Sequence, residues 1–246
     1  MDVLAAIGGG AFVLASLVLG LRLMALARRT RGLPEFILGF ALFAMGGLGY
    51  PLLAVAMQAT GLPPATRTAL AVVQMLLSGV GMVSIACFTW RVFRPTSRWA
   101  SMLVGGVGGA YGLAFAVQGL GPGFFAFLLD PAGPWHVSTF FGIGVMGWAG
   151  AESLRYHRML RKRIGLGLAD PVVADRFRLW AIAILVACTI SVVSVVLERV
   201  FGIPVAGSAA GALAVGPLGL VAAGTLWLAF LPPAAYVARV RARASA

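Results

Sequence analysis

Between Arg67 and Arg91 the chain reads TALAVVQMLLSGVGMVSIACFTW, from Thr68 to Trp90, without a single charged residue. About 20 apolar residues in helical form cross the roughly 30 Å of a bilayer's hydrocarbon core. Hydrocarbon cannot satisfy exposed backbone N–H and C=O groups, so a crossing segment must be a helix or part of a closed barrel. Barrel strands need only about 10 residues of alternating pattern, and this run is far longer and does not alternate. It predicts a transmembrane helix.

Reading outward, runs of the same kind occupy Leu4 to Ala27, Phe36 to Ala59, Thr68 to Phe93, Trp99 to Leu120, Trp135 to Tyr156, Leu179 to Leu197 and Val205 to Tyr236. The sequence therefore predicts an all-α integral membrane protein, a single domain of seven transmembrane helices over residues 1–246. Composition agrees: 61% of residues are hydrophobic, 11% are charged, and the mean hydropathy is +0.98. Soluble domains carry about 25% charged residues.

Seven spans place successive loops on alternate sides. All 19 basic residues except Arg67 and Arg199 then fall on one side, in the groups Arg22 to Arg31, Arg91 to Arg98, Arg155 to Arg178 and Arg239 to Arg243. The positive-inside rule makes that side cytoplasmic, which puts the N-terminus outside and the C-terminus inside. A missed or extra helix would break the alternation. The first run resembles a signal peptide at Ala25-Leu26-Ala27, but its arginines follow the apolar stretch, as in a retained helix. The net charge of +12 reads as orientation and contact with anionic lipid headgroups rather than as a nucleic-acid surface.

Local punctuation supports these limits. Gly61-Leu62-Pro63-Pro64 separates the second and third spans, and Asp170-Pro171 reads as an N-cap followed by proline at the first helical position. Pro51 and Pro217 are expected kinks. Phe124 to Leu129 is too short to span and too apolar to float free, so it is expected at the membrane surface or folded over the bundle mouth. Gly105, Gly106, Gly108, Gly109 and Gly112 give the fourth span a small-residue face for close backbone approach. Its expected use is packing within the chain, with a homodimer as the alternative. No internal repeat marks a two-fold transporter.

Ionisable residues inside a membrane are functional candidates by default, and this chain has almost none. Glu35, Glu152 and Glu198 lie toward helix ends. Glu152 has Arg155 three residues on and is the candidate gate or switch if it faces the interior. His136 and His157 are about 31 Å apart along one helix, so they cannot share a haem or metal. Cys87 and Cys188 read as small buried hydrophobes. An outward N-terminus and seven helices resemble the rhodopsins in architecture alone. The only lysine, Lys162, lies in a loop, so no retinal Schiff base is expected, although a lipid or pigment held noncovalently is compatible. No phosphate-binding loop or Ser-His-Asp set is present, and no catalytic residue is predicted.

What remains is a set of uncharged polar and aromatic side chains in the spans: Tyr50, Gln74, Ser78, Tyr111, Gln118, Trp148, Ser191 and Ser194. These are the expected ligand-binding residues of a noncatalytic, receptor-like protein that takes a small neutral or apolar ligand in the outer half of the bundle. A small transporter or channel for a neutral solute and an accessory or structural subunit of a membrane complex are the alternatives. High Ala, Gly and Arg with one Lys point to a GC-rich bacterial genome, and hence to the bacterial cytoplasmic membrane.

Overall fold

Apolar runs bounded by proline and arginine fold into helices that overrun the predicted spans, mostly at their charged ends. The computed structural model describes residues 2–59, 61–128, 133–205 and 208–245. Among them are α1 (Asp2–Thr30), α2 (Leu33–Ala41), α3 (Tyr50–Gln58), α4 (Pro64–Phe93), α5 (Arg98–Leu120), α6 (Pro134–Ile164), α7 (Pro171–Arg199), α8 (Ala209–Phe230) and α9 (Ala234–Ser245). Helix makes up 86% of the structure, and no strand occurs among the described residues.

Among the described residues, six helical stretches are long and apolar enough to cross a membrane: Ala6–Thr30, Leu33–Gln58, Pro64–Phe93, Arg98–Leu120, Pro171–Arg199 and Ala209–Phe230. They are consistent with a multi-pass membrane protein. α6 is 31 residues long but is not one of the six, because His136, Ser138, Thr139 and several glycines dilute its apolar half. Large apolar side chains face outward, with Leu120 90% and Leu113 66% exposed, while alanines and the small polar Ser16, Thr89, Ser138 and Ser153 are buried. Water does not select that arrangement; a lipid solvent does.

The last predicted span, Val205 to Tyr236, is shorter than expected, and Ala206 and Gly207 lie outside the described residues. α8 ends at Phe230, and α9 starts only after Pro232-Pro233. Proline has no N–H to continue the ladder and pushes the preceding residue out of the helical region, so Tyr236 belongs to a separate terminal helix. Asp170 is the predicted N-cap of α7, its Oδ1 accepting from the Val172 N–H at 2.8 Å.

The chain divides into two compact units, Val13–Val145 and a second made of Met1–Phe12 with Met146–Ala246. In the first unit, α2 and α3 are joined by a π-helical segment, Leu42–Gly49, which replaces the simple kink expected at Pro51. The Tyr50 N–H donates to the Met45 carbonyl five residues back. This wider register absorbs the donor that Pro51 lacks. Glycines let the neighbours close in: a Cβ on Gly20 would lie 2.8 Å from the Gly39 carbonyl oxygen, and one on Gly81 would lie 2.8 Å from the Met45 Cβ. In the second unit, α7 packs along α8. Gly8 of α1 meets the backbone of Gly216, and a Gly219 Cβ would lie 3.1 Å from the Gly8 carbonyl oxygen.

The glycine-rich face of α5 departs from expectation. Nothing lies within 4 Å of a Cβ built on Gly105, Gly106, Gly109 or Gly112, and Gly108 reaches only Val83, at 4.0 Å. Among the described residues of the first unit, the buried side of α5 is instead carried by Ala100, Val107, Tyr111 and Gln118.

Candidate functional site

Five of the eight predicted ligand-binding residues fall in the first unit. Gln74 and Ser78 are one turn apart on α4, and the Gln74 Nε2 donates to the Ser78 hydroxyl at 2.8 Å. Gln74 is buried, and its Oε1 has no hydrogen-bond partner. Ser78 Oγ lies 3.3 Å from where a Gly49 Cβ would be, which sets the pair against the end of the π segment. Tyr50, half exposed, opens α3 just after the π segment.

Tyr111 is the hinge of the arrangement. Its ring meets Trp135 edge to face at 5.6 Å. The Ser138 hydroxyl donates to the Trp135 carbonyl at 2.6 Å, and the Tyr111 hydroxyl lies 2.9 Å from where a Gly142 Cβ would be. Only glycine at position 142 leaves it that room. Phe115 extends the aromatic row, 6.5 Å from Trp135 and 4.8 Å from Phe124.

Gln118 is fully buried and committed to the fold. Its Nε2 donates to the Gly123 carbonyl at 2.8 Å. Its Oε1 accepts from the Trp135 N–H at 3.1 Å, one of the donors that the first turn of a helix leaves unpaired. The apolar loop is packed down beside it. Phe124 covers Gly119, Phe127 stacks on His136 at 5.1 Å, and Phe125 carries the Arg67 guanidinium at 5.4 Å. Arg67 also donates from Nε to the Ala56 carbonyl at 2.8 Å, near the end of α3, where a cation complements the helix dipole. Leu129, the last residue of the predicted loop segment, lies outside the described residues.

A groove of about 260 Å³ opens between α4 and α5, lined by Met75, Gly79, Val83, Gly112, Phe115 and the Tyr111–Trp135 pair among others. Its walls are apolar. Enclosed sites for drug-sized ligands run to roughly 300–1,000 Å³, and this groove is smaller and open. Gly108 and Gly112 keep the α5 wall low, and Gly79 does the same on α4.

The remaining predicted residues, Trp148, Glu152, Ser191 and Ser194, belong to the second unit. Trp148 and Glu152 are one turn apart on α6. Ser191 on α7 donates to the carbonyl of Ala187 at 3.2 Å, as hydroxyls in lipid-facing helices often do. Among the described residues, no three His, Cys, Asp or Glu side chains gather as a metal site.

Sequence reasoning passed over Phe115, Trp135, Ser138, Gly79 and Gly142. Trp135 opens a predicted span and Ser138 lies in its first turn, and a lone glycine carries no sign of which aromatic it makes room for.

Comparison of the chain with protein-family models, with curated proteins and with solved structures finds no match.

Proposed function

We propose that this protein is a noncatalytic, receptor-like membrane protein that binds a chain-like apolar ligand, a lipid or an extended pigment, in the groove between α4 and α5. The observation that carries this reading is the groove itself. Its walls are apolar, three glycines hold it open, and an edge-to-face Tyr111–Trp135 pair closes one side. Aromatic faces and low glycine walls suit acyl or polyene chains, and the lining presents no charge for a polar solute. Its dimensions favour a ligand that lies partly in the groove and partly in the bilayer.

In this proposal seven helices cross a bacterial cytoplasmic membrane, α6 being the seventh, with the N-terminus outside and α9 in the cytoplasm. It is supported by the one-sided distribution of arginine and by the 31-residue length of α6, about 46 Å at 1.5 Å per residue. That length exceeds the hydrocarbon thickness even though its composition is diluted.

The test is photocrosslinking with a lipid that carries a photoreactive group in its acyl chain, followed by peptide mapping. Adducts are expected on the α4 and α5 peptides that hold Met75, Val83 and Phe115, and Gly112→Leu, which fills the groove, removes them. Adducts spread evenly over all outward faces, or unchanged in Gly112→Leu, would contradict the proposal.

A further inference from the structure

At the basic end of the second unit, three helices are tied together at one height. The His157 Nδ1 lies 2.7 Å from the Ala174 carbonyl oxygen, and Tyr156 meets Phe177 edge to face at 4.6 Å, which joins α6 to α7. The Tyr236 hydroxyl donates to Asp175 Oδ2 at 2.6 Å, which joins α9 to α7. Asp175 is also paired with Arg178, at 2.6 Å, and its side chain is only 12% exposed. These contacts fix a layer. It lies one helical turn before Leu179, where the apolar run of α7 begins, and α9 starts four residues after the last residue of α8.

The charge in that layer is unbalanced. Arg155, Arg158, Arg176, Arg178, Arg239 and Arg243 are all exposed. Asp175, the acid bonded among them, is largely covered and already bonded to Tyr236 and Arg178. The apolar run of α7 begins at Leu179, and cations that flank such a run are expected at the height of lipid phosphates. Arginine's planar fork binds phosphate oxygens in pairs. Charges on separate flexible loops would merely orient the chain; here hydrogen bonds join α6 and α9 to α7, so the exposed cations are carried on one tied group of helices.

We infer that the α6–α7–α9 layer around Asp175 is a binding site for the phosphate headgroups of anionic phospholipids. Tyr236 is a positioning residue: its bond to Asp175 holds the α9 arginines beside those of α6 and α7.

The test uses the full-length protein in mixed micelles of phosphatidylglycerol and phosphatidylcholine, with lipids retained by the protein counted by native mass spectrometry. The unaltered protein is expected to keep phosphatidylglycerol about tenfold over phosphatidylcholine at low salt. That preference should fall as salt rises from about 0.1 M to 1 M and the Debye length shrinks from about 10 Å to about 3 Å. The triple variant Arg158→Gln, Arg176→Gln, Arg239→Gln should lose the preference, since each surface cation changes anionic-lipid binding about fivefold. Arg28→Gln with Arg29→Gln, on α1 in the other unit, should keep most of it. Tyr236→Phe should weaken it several-fold with no change in net charge. Equal retention of the two lipids by the unaltered protein overturns the inference, and the salt series decides it even if the triple variant does not fold. Equal losses in the α1 variant and the triple variant also overturn it, as does an acidic protein that co-purifies in place of the lipid.

Discussion

Gln118 and Tyr236 each hold two elements together through one polar side chain, and each gives a sharp expectation. Gln118→Leu leaves the Trp135 N–H and the Gly123 carbonyl without their partner, at a cost of about 1–3 kcal/mol for each buried group left unsatisfied. A lowered thermal midpoint in detergent would record it, with the first turn of α6 exchanging amide protons faster. Tyr236 behaves differently because it titrates. Burial, and then the bond to the Asp175 carboxylate, raise its pKa above the ordinary value of about 10. The fold thus favours the neutral phenol. Its contribution is fully present below the ordinary pKa and is lost as pH rises through the raised one. Protease cleavage of α9 should therefore increase only at strongly alkaline pH, and Tyr236→Phe should cleave faster at neutral pH with no alkaline step. An alkaline step that survives in Tyr236→Phe would rule this out. None of these bonds is legible in the sequence, because Asp175 and Tyr236 are 61 residues apart and only the packing of α9 on α7 brings them together.

The predictions at the level of elements turn on which glycines have neighbours. A valine at Gly20 drives its Cβ into the Gly39 carbonyl and Phe43, an overpacking that costs about 1–3 kcal/mol. Gly109→Ala meets open space and should leave the unfolding free energy within about 1 kcal/mol of the parent's. Equal effects of the two substitutions would show that the packing of α1 on α2 is misassigned. The sequence carries the apolar length of Leu33–Gln58 and places Pro51 within it. It does not carry the π segment, which depends on Met45 fitting against Gly81 and Leu17 against Gly47. In the same way a run of glycines shows that close approach is possible on α5, not that a partner is there. The N-cap at Asp170 and the break near Pro232 are local chemistry, and local chemistry is what a sequence reads best.

For the whole molecule, the helical, multi-pass character follows from apolar length alone, and so is the part of the account most directly legible. The candidate site was half legible. Gln74, Ser78 and Tyr111 stand out as uncharged polar groups in apolar helices, whereas the groove beside them is made by glycines and aromatics with no such contrast to their surroundings. Topology rests on charge. Reporter fusions after Gln58 and after Leu120 should report the outer side, and fusions after Phe93 and after Ile164 the cytoplasm. If α6 does not cross, the sides reported after Leu120 and after Ile164 will be the same. The central claim, that the groove between α4 and α5 holds a chain-like apolar molecule, is tested most directly by native mass spectrometry of the protein taken from its own membrane in mild detergent. The account predicts one apolar molecule retained per chain and lost in Gly112→Leu. A bare chain, or a bound molecule unaffected by filling the groove, would contradict it.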